Sequence, residues 1–355
     1  MPDWKPLSRD RLSPRRMPVS VRVMALWLVA LHCLSSWAQD VVVVRSKDTR
    51  TVATRKGEVL DYTGESLTLR LLSGRTQRIE SNRVLSLETK RTESHKLAAR
   101  LFQRGKYEAA LQSYRLAERE EKRSWMLREI FAKEVQCFQN KGDMVAAAQR
   151  FLLILGSDPT ARCFDVIPLM WVVPGKLAAV EEQSARQWLR GATVAERLIG
   201  SSWMIATSQR SQALSNLESL AADQDLRIGF LAEAQLWRIK LVTVSADQVG
   251  VWRQRIQRMP EGLRAGPCFL LGKGLARQEK FLDASLELLR IPILHSHLQT
   301  LVPEALLSAA QCLELAGQQQ EAELVYREVL DLPESLPAAS AAQKRLQRVR
   351  QDRER

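Results

Sequence analysis

The sequence predicts a mainly α fold in which a small all-β barrel of about five strands precedes a long array of stacked helical hairpins. Three observations predict it. The 355 residues are 45% hydrophobic and 26% charged, a balance that suits folded domains and argues against wholesale disorder. Between Asp40 and Glu88 apolar residues alternate with period two, as strands require, and from Ser94 onward they recur at helical spacing. The stretch FQRGKYEAALQSYRLAERE, from Phe102 to Glu120, reads as a helix end, a glycine-centred turn and a second helix, and its frame returns further along the chain.

The N-terminus comes first. The basic stretch RRMPVSVR is followed by the apolar run VMALWLVALHCL and then SSWAQD, with small Ser36 and Ala38 at the −3 and −1 places of a cleavage site. Residues 1–38 are therefore expected to be a secretory signal peptide, and the mature chain to be exported to the periplasm or cell envelope. The apolar run falls short of the roughly 20 residues of a membrane span, so membrane contact is expected only if the segment stays uncleaved. Cys33 follows a bulky His32 where a lipobox has a small residue, which argues against lipidation. The long basic leader leaves Met17 and Met24 open as alternative starts.

The formal charge of +13 suggests nucleic acid at first sight, but eight of those charges lie in the first 38 and last twelve residues. The modest mixed-sign excess between them fits solvated helix faces rather than specific nucleic-acid binding. Four cysteines remain after residue 38, namely Cys137, Cys163, Cys268 and Cys312, with no CxxC pair. Three full pairings are open in an oxidising compartment. Cys137 and Cys312 fall inside apolar helical patterns, where a free thiol behaves as a small hydrophobe.

Residues 40–90 hold five short runs, VVVVR, GEVLDY, ESLTLRLL, RTQRIE and RVLSLE, separated by turn chemistry at Thr63-Gly64, Ser73-Gly74 and Ser81-Asn82. Five strands in so short a stretch cannot make a thick sandwich, so a partly closed barrel of SH3-like or Sm-like kind is expected. Tyr62 is its only aromatic residue, which disfavours an aromatic peptide groove or base stacking and leaves a spacer or docking role.

Residues 94–332 carry the helical array. In the first frame Leu97-Ala98, Leu101, Gly105, Tyr107, Ala110, Tyr114 and Ala117 alternate large and small residues around a turn. The small ones let two helices approach, the large ones fill the space between them, and Gly105 permits the turn. Phe138, Gly142, Ala147, Phe151 and Pro159 repeat the frame, as do Leu271-Gly272, Leu275, Phe281, Ala284, Leu288 and Pro292, with Glu279 in place of the turn glycine. Ala309-Ala310, Leu313, Gly317, Ala322, Tyr326 and Pro333 repeat it again.

This pattern resembles the tetratricopeptide repeat. The resemblance implies a right-handed α-solenoid of about seven helix pairs whose concave face binds protein or peptide partners. Some members of that family grip a peptide carboxylate with Lys, Asn and Arg on each first helix. The matching positions here are His95 and Ala99, Ala132 and Gln136, Phe269 and Lys273, and Leu307 and Gln311, so that clamp is not expected. Residues 160–266 depart from the pattern, with Pro168 and Pro174 around an apolar cluster, and read as divergent hairpins of the same type or as an unrelated helical insertion. Residues 333–355 read as a capping helix with a basic tail.

Little in the chain suggests catalysis. His295 and His297 are the best ligand pair, but i and i+2 diverge on a helix and no third ligand is evident nearby. GPCFLLGKG has one residue too many for a phosphate loop and Gly274 where Ser or Thr is required. The consecutive pairs Glu120-Glu121 and Glu181-Glu182 suit solvent exposure better than a shared proton. Trp171, Trp188, Trp203, Trp237 and Trp252 either line a hydrophobic groove or fill the core.

The expectation is a non-enzymatic exported scaffold or adaptor, with no catalytic, cofactor or metal residues assigned and its binding residues left open. One alternative is a structural or polyanion-binding envelope component using Arg75, Arg78, Arg83 and the tail. The other is a hydrolase that joins His295 or His297 to carboxylates of other helices.

Overall fold

The computed structural model describes residues 39–46, 51–172, 176–332 and 337–353, so the expected signal peptide, Cys33, Pro174, Pro333 and the last two residues of the basic tail lie outside the described residues. Each of the five alternating runs lies in one strand: β1 (Asp40–Arg45), β2 (Val52–Tyr62), β3 (Ser66–Leu71), β4 (Thr76–Glu80) and β5 (Val84–Glu88). Val42, Val44, Val59, Leu67, Leu69 and Ile79 are buried, as one face of a pleated sheet should be. Gly74 takes φ +78 in the β3–β4 turn.

The strands are antiparallel in the order β4-β3-β2-β1-β5, with β4 and β5 as the two edges. The sheet is therefore not closed into the expected barrel. Its apolar face has another cover: Val42, Val59 and Leu67 belong to one cluster with Tyr114, Trp125 and Ile130 of the helices that follow. Burial against helices removes the reason for the sheet to close on itself.

Four helix pairs carry the frames found in the sequence: α1 (Glu93–Gln103) with α2 (Tyr107–Glu120), α3 (Ser124–Asn140) with α4 (Met144–Ser157), and, after α5 (Ala179–Leu189), α6 (Val194–Met204), α7 (Arg210–Leu220), α8 (Leu226–Lys240) and α9 (Ala246–Arg258), the pairs α10 (Ala265–Arg277) with α11 (Phe281–Leu294) and α12 (Val302–Leu315) with α13 (Gln319–Leu330). The chain's last described helix, α14 (Pro337–Arg353), packs on α13 and α12.

The four turns are built alike. Gly105, Gly142, Glu279 and Gly317 have φ of 69, 78, 59 and 78. The next amide in each case, from Lys106, Asp143, Lys280 or Gln318, donates to the carbonyl of Leu101, Phe138, Leu275 or Leu313 at 2.9–3.1 Å. Each turn thus satisfies a carbonyl that a helix C-terminus would otherwise leave bare. Ala98, Ala110, Ala284 and Ala322 are fully buried at the crossings. A Cβ on Gly272 would come within 2.6 Å of Leu288 Cγ, so α10 and α11 meet there at backbone distance.

First helices of successive pairs also touch, α6 to α8, α8 to α10, α10 to α12 and α12 to α14, which makes the array solenoid-like. Two apolar clusters meet within α8: Ile228, Leu231 and Ala232 belong to one, and Phe230, Ala234 and Trp237 to the other. Trp237 stacks on Trp252 at 4.9 Å and Trp188 meets Trp203 edge-on at 5.4 Å, so these four tryptophans are core. Among the described residues no helix is long and apolar enough to cross a membrane.

Residues 160–172 form no helical hairpin, contrary to expectation. A 3₁₀ turn, Arg162–Val166, is followed by non-helical chain, and the next helix, α5, packs on α6. Pro168 has no amide to give a helix and clashes with the preceding turn, so this stretch cannot continue as one.

Glu279 is the one non-glycine residue with positive φ among the described residues. Since a Cβ in the left-handed region costs about 1–2 kcal/mol, offset in part by glycine's entropy, Glu279→Gly should raise stability by about 0.5–1 kcal/mol. Urea unfolding checks this, the expected result being a higher midpoint at unchanged slope.

Candidate binding site on the inner face

Along α3, α6, α8 and α10 one face of the helical array is covered by the chain itself. Gln139 Nε2 of α3 donates to Val166 O at 3.1 Å, and Trp203 Nε1 of α6 donates to Pro168 O at 2.9 Å. Ser202 Oγ of α6 accepts from Met170 N at 2.9 Å. From α8, Arg227 donates to Ala161 O and Pro159 O at 2.8 and 2.7 Å and lays its guanidinium 4.3 Å from the centre of the Phe164 ring. On α10, a Cβ on Gly266 would come within 1.9 Å of the Trp171 ring. Four helices thus grip one irregular length of chain.

Over α1 and α3 the same face stays open as a cavity of about 360 Å³, near the low end of the roughly 300–1,000 Å³ of ligand clefts. His95, Ala99, Ala132 and Gln136, the family-clamp positions of the first two pairs, come together in it. Tyr62 of β2 forms a second wall, and Arg162, Cys163 and Asp165 of the 3₁₀ turn form a third.

Arg128 joins the sheet to α3. It donates to Asp61 Oδ1 at 2.7 Å, Tyr62 O at 3.2 Å and Ser157 Oγ at 3.0 Å, with Asp158 Oδ2 3.9 Å from its Nε. The same Asp158 oxygen accepts from Gly64 N at 3.0 Å, and Trp125 Nε1 donates to Val59 O at 3.2 Å. A Cβ on Gly64 would strike Thr160 O, so only glycine lets this turn sit down on the helices.

The cavity walls carry both charge signs. Arg91 pairs with Glu129 at 3.3 Å. Lys133 Nζ donates to Gln136 Oε1 at 3.0 Å, and Arg162 lies 4.3 Å from the centre of the Tyr62 ring. Burial, helped by Arg91, lowers the His95 pKa to about 4, so this imidazole is neutral at pH 7. Burial and the nearby Asp165 push Cys163 up to about 11, which keeps it a thiol and a poor nucleophile. Burial also raises the Asp165 carboxyl, against the pull of His297, Lys133 and His295.

His295 and His297 follow α11 with their rings 6.4 Å apart, and burial lowers both. Asp165 approaches them from the 3₁₀ turn, a meeting that no sequence spacing signals. Among the described residues no group of three or more His, Cys, Asp and Glu side chains is placed to hold a metal ion. The four cysteines are free, with Cys137, Cys268 and Cys312 buried. The glutamate pairs have structural partners: Glu181 accepts from Ala178 N, Glu182 pairs with Arg186, Glu120 accepts from Ser94 and Glu121 holds Arg123.

No protein-family model matches the chain, and no curated protein is significantly similar to it.

Glu134 of α3 lies wholly buried, with Arg150 Nε 3.0 Å from Oε2 but not aligned as a hydrogen-bond donor. Burial, reinforced by Glu118 and opposed by Arg150, raises its pKa to about 7. Between pH 4.5 and 7 the unfolded chain gives up a proton that the folded chain keeps, so this group lowers stability as pH rises through that window. His95 acts oppositely, its stabilisation being lost as pH falls from 6.5 toward 4. Glu134→Gln should gain stability on the order of 2 kcal/mol over the parent at pH 8, little at pH 4, and show a plain acid decline. Denaturant titrations across that range provide the check.

Proposed function

We propose that this chain is an exported scaffold of tetratricopeptide-like helix pairs that binds an extended segment of a partner protein and catalyses no reaction of its own. One observation carries the reading. First-helix side chains of α3, α6 and α8 already bind an irregular length of chain by its backbone, and a cavity lies open beside it over α1 and α3. Recognition of this kind draws on main-chain hydrogen bonds for affinity and side-chain pockets for specificity.

Tetratricopeptide kinship rests on the four recurring frames and the four like turns that close them. Export, and a place in the periplasm or envelope, rest on the composition of residues 1–38. A polyanion-binding role has less to draw on, since Arg78 is engaged by Glu65 and Arg83 by the Arg45 carbonyl. A hydrolytic role lacks an activated nucleophile beside Asp165, because Cys163 is held as a thiol.

Ala99→Trp tests the reading by filling the cavity from α1 without touching the sheet contacts. Affinity capture from envelope extract should show partners held by the parent and weakened at least tenfold by the variant, at unchanged melting temperature. Equal capture by both would contradict a binding role for the cavity.

A further inference from the structure

We propose that the bound partner segment carries an acidic side chain, whose carboxylate enters the cavity lined by Lys133 and Arg162 while its apolar neighbours lie against the aromatic walls. This rests on the reading that the cavity is the binding site, and it adds the chemistry of what binds.

The lining cations that lack an ion-pair partner carry it, together with the buried donors beside them. Four cations line the cavity, and two are committed: Arg91 to Glu129, and Arg128 to Asp61 with Asp158 nearby. Among the described residues Lys133 and Arg162 have no carboxylate within 4.0 Å; one rests over Phe102 and the other over Tyr62. Asp165 is the one lining carboxylate that opposes them. Two lining cations without an ion-pair partner can each meet an oxygen of a ligand carboxylate.

The buried polar groups match an acceptor-only ligand. His95, Tyr114 and Gln136 are 5%, 1% and 7% exposed and line the cavity. The His95 ring nitrogens, the Tyr114 hydroxyl and the Gln136 amide nitrogen have no hydrogen-bond partner among the described residues, and none of them is sealed from the cavity. Tyr114 and Gln136 each have a proton to donate and neutral His95 has one, on a single ring nitrogen, and an ionised carboxylate has about four lone-pair sites to receive them. A protein cation would meet these donors and two like charges instead.

A side chain is favoured over a chain terminus. The cavity shares its 161–166 wall with the face that residues 159–172 cross as non-helical chain, so a partner is placed to run through it rather than to end in it.

A display library of random heptapeptides with both termini blocked, selected on the intact chain and counter-selected on Ala99→Trp, tests the proposal. Cavity-dependent binders enriched in Asp or Glu, weakened at least tenfold by Asp→Asn or Glu→Gln in the peptide, support it. The double variant Lys133→Glu with Arg162→Glu changes two exposed side chains, should melt as the parent does, and should lose the acidic binders at least tenfold. Cavity-dependent binders with no acidic enrichment, or binding only after the C-terminus is unblocked, would overturn the acidic side chain while leaving the cavity as a binding site. No binder that distinguishes the parent from Ala99→Trp would overturn both.

Discussion

Non-helical chain inside a helical stack must find partners for backbone groups that no helix or sheet ladder satisfies. In this protein that constraint falls on residues 159–172, and side chains of three helices, α3, α6 and α8, meet it. Arg227 takes two carbonyls, Trp203 and Gln139 take one each, and Ser202 takes an amide. Without these bonds Ile167 and Leu169 would have to leave their buried places, and the two apolar clusters that meet within α8 would lose a shared lining. The segment also forms one wall of the cavity.

The sheet is part of the same arrangement rather than a separate module. Its buried face shares a core with α2 and α3, and Arg128 ties Asp61 and Tyr62 to the end of α4 through Ser157. Removing a buried arginine from such a network leaves carboxylates without a counter-charge, a larger loss than any surface pair would give. The open sheet, the docked turn at Gly64 and the Tyr62 wall therefore form one unit, which meets the 3₁₀ turn where Arg162 lies over Tyr62.

Local features were legible in the sequence, and long-range meetings were not. Alternation marked all five strands, and the spacing of small and large residues marked four hairpins down to the residue that turns left-handed in each, Glu279 included. These signals are local because strand period, helix period and αL turns are decided within a few residues. Closure of the barrel was misjudged because it depends on what covers the Val42 and Leu67 face, and Trp125 lies far along the chain. Pro168 signalled a break, but nothing in its neighbourhood shows that Trp203 and Arg227 would receive the broken segment. Asp165 went unnoticed as a neighbour of His295 and His297 for the same reason.

The central claim is that the protein's own chain occupies the face between α3 and α10, beside the open cavity over α1 and α3. Hydrogen exchange of the intact protein, followed by mass spectrometry, tests it most directly. The account predicts that peptides covering residues 164–172 exchange as slowly as those of α6 and α8, whose side chains hold them. Exchange of that stretch at the rate of exposed loops, with α6 and α8 still protected, would contradict it.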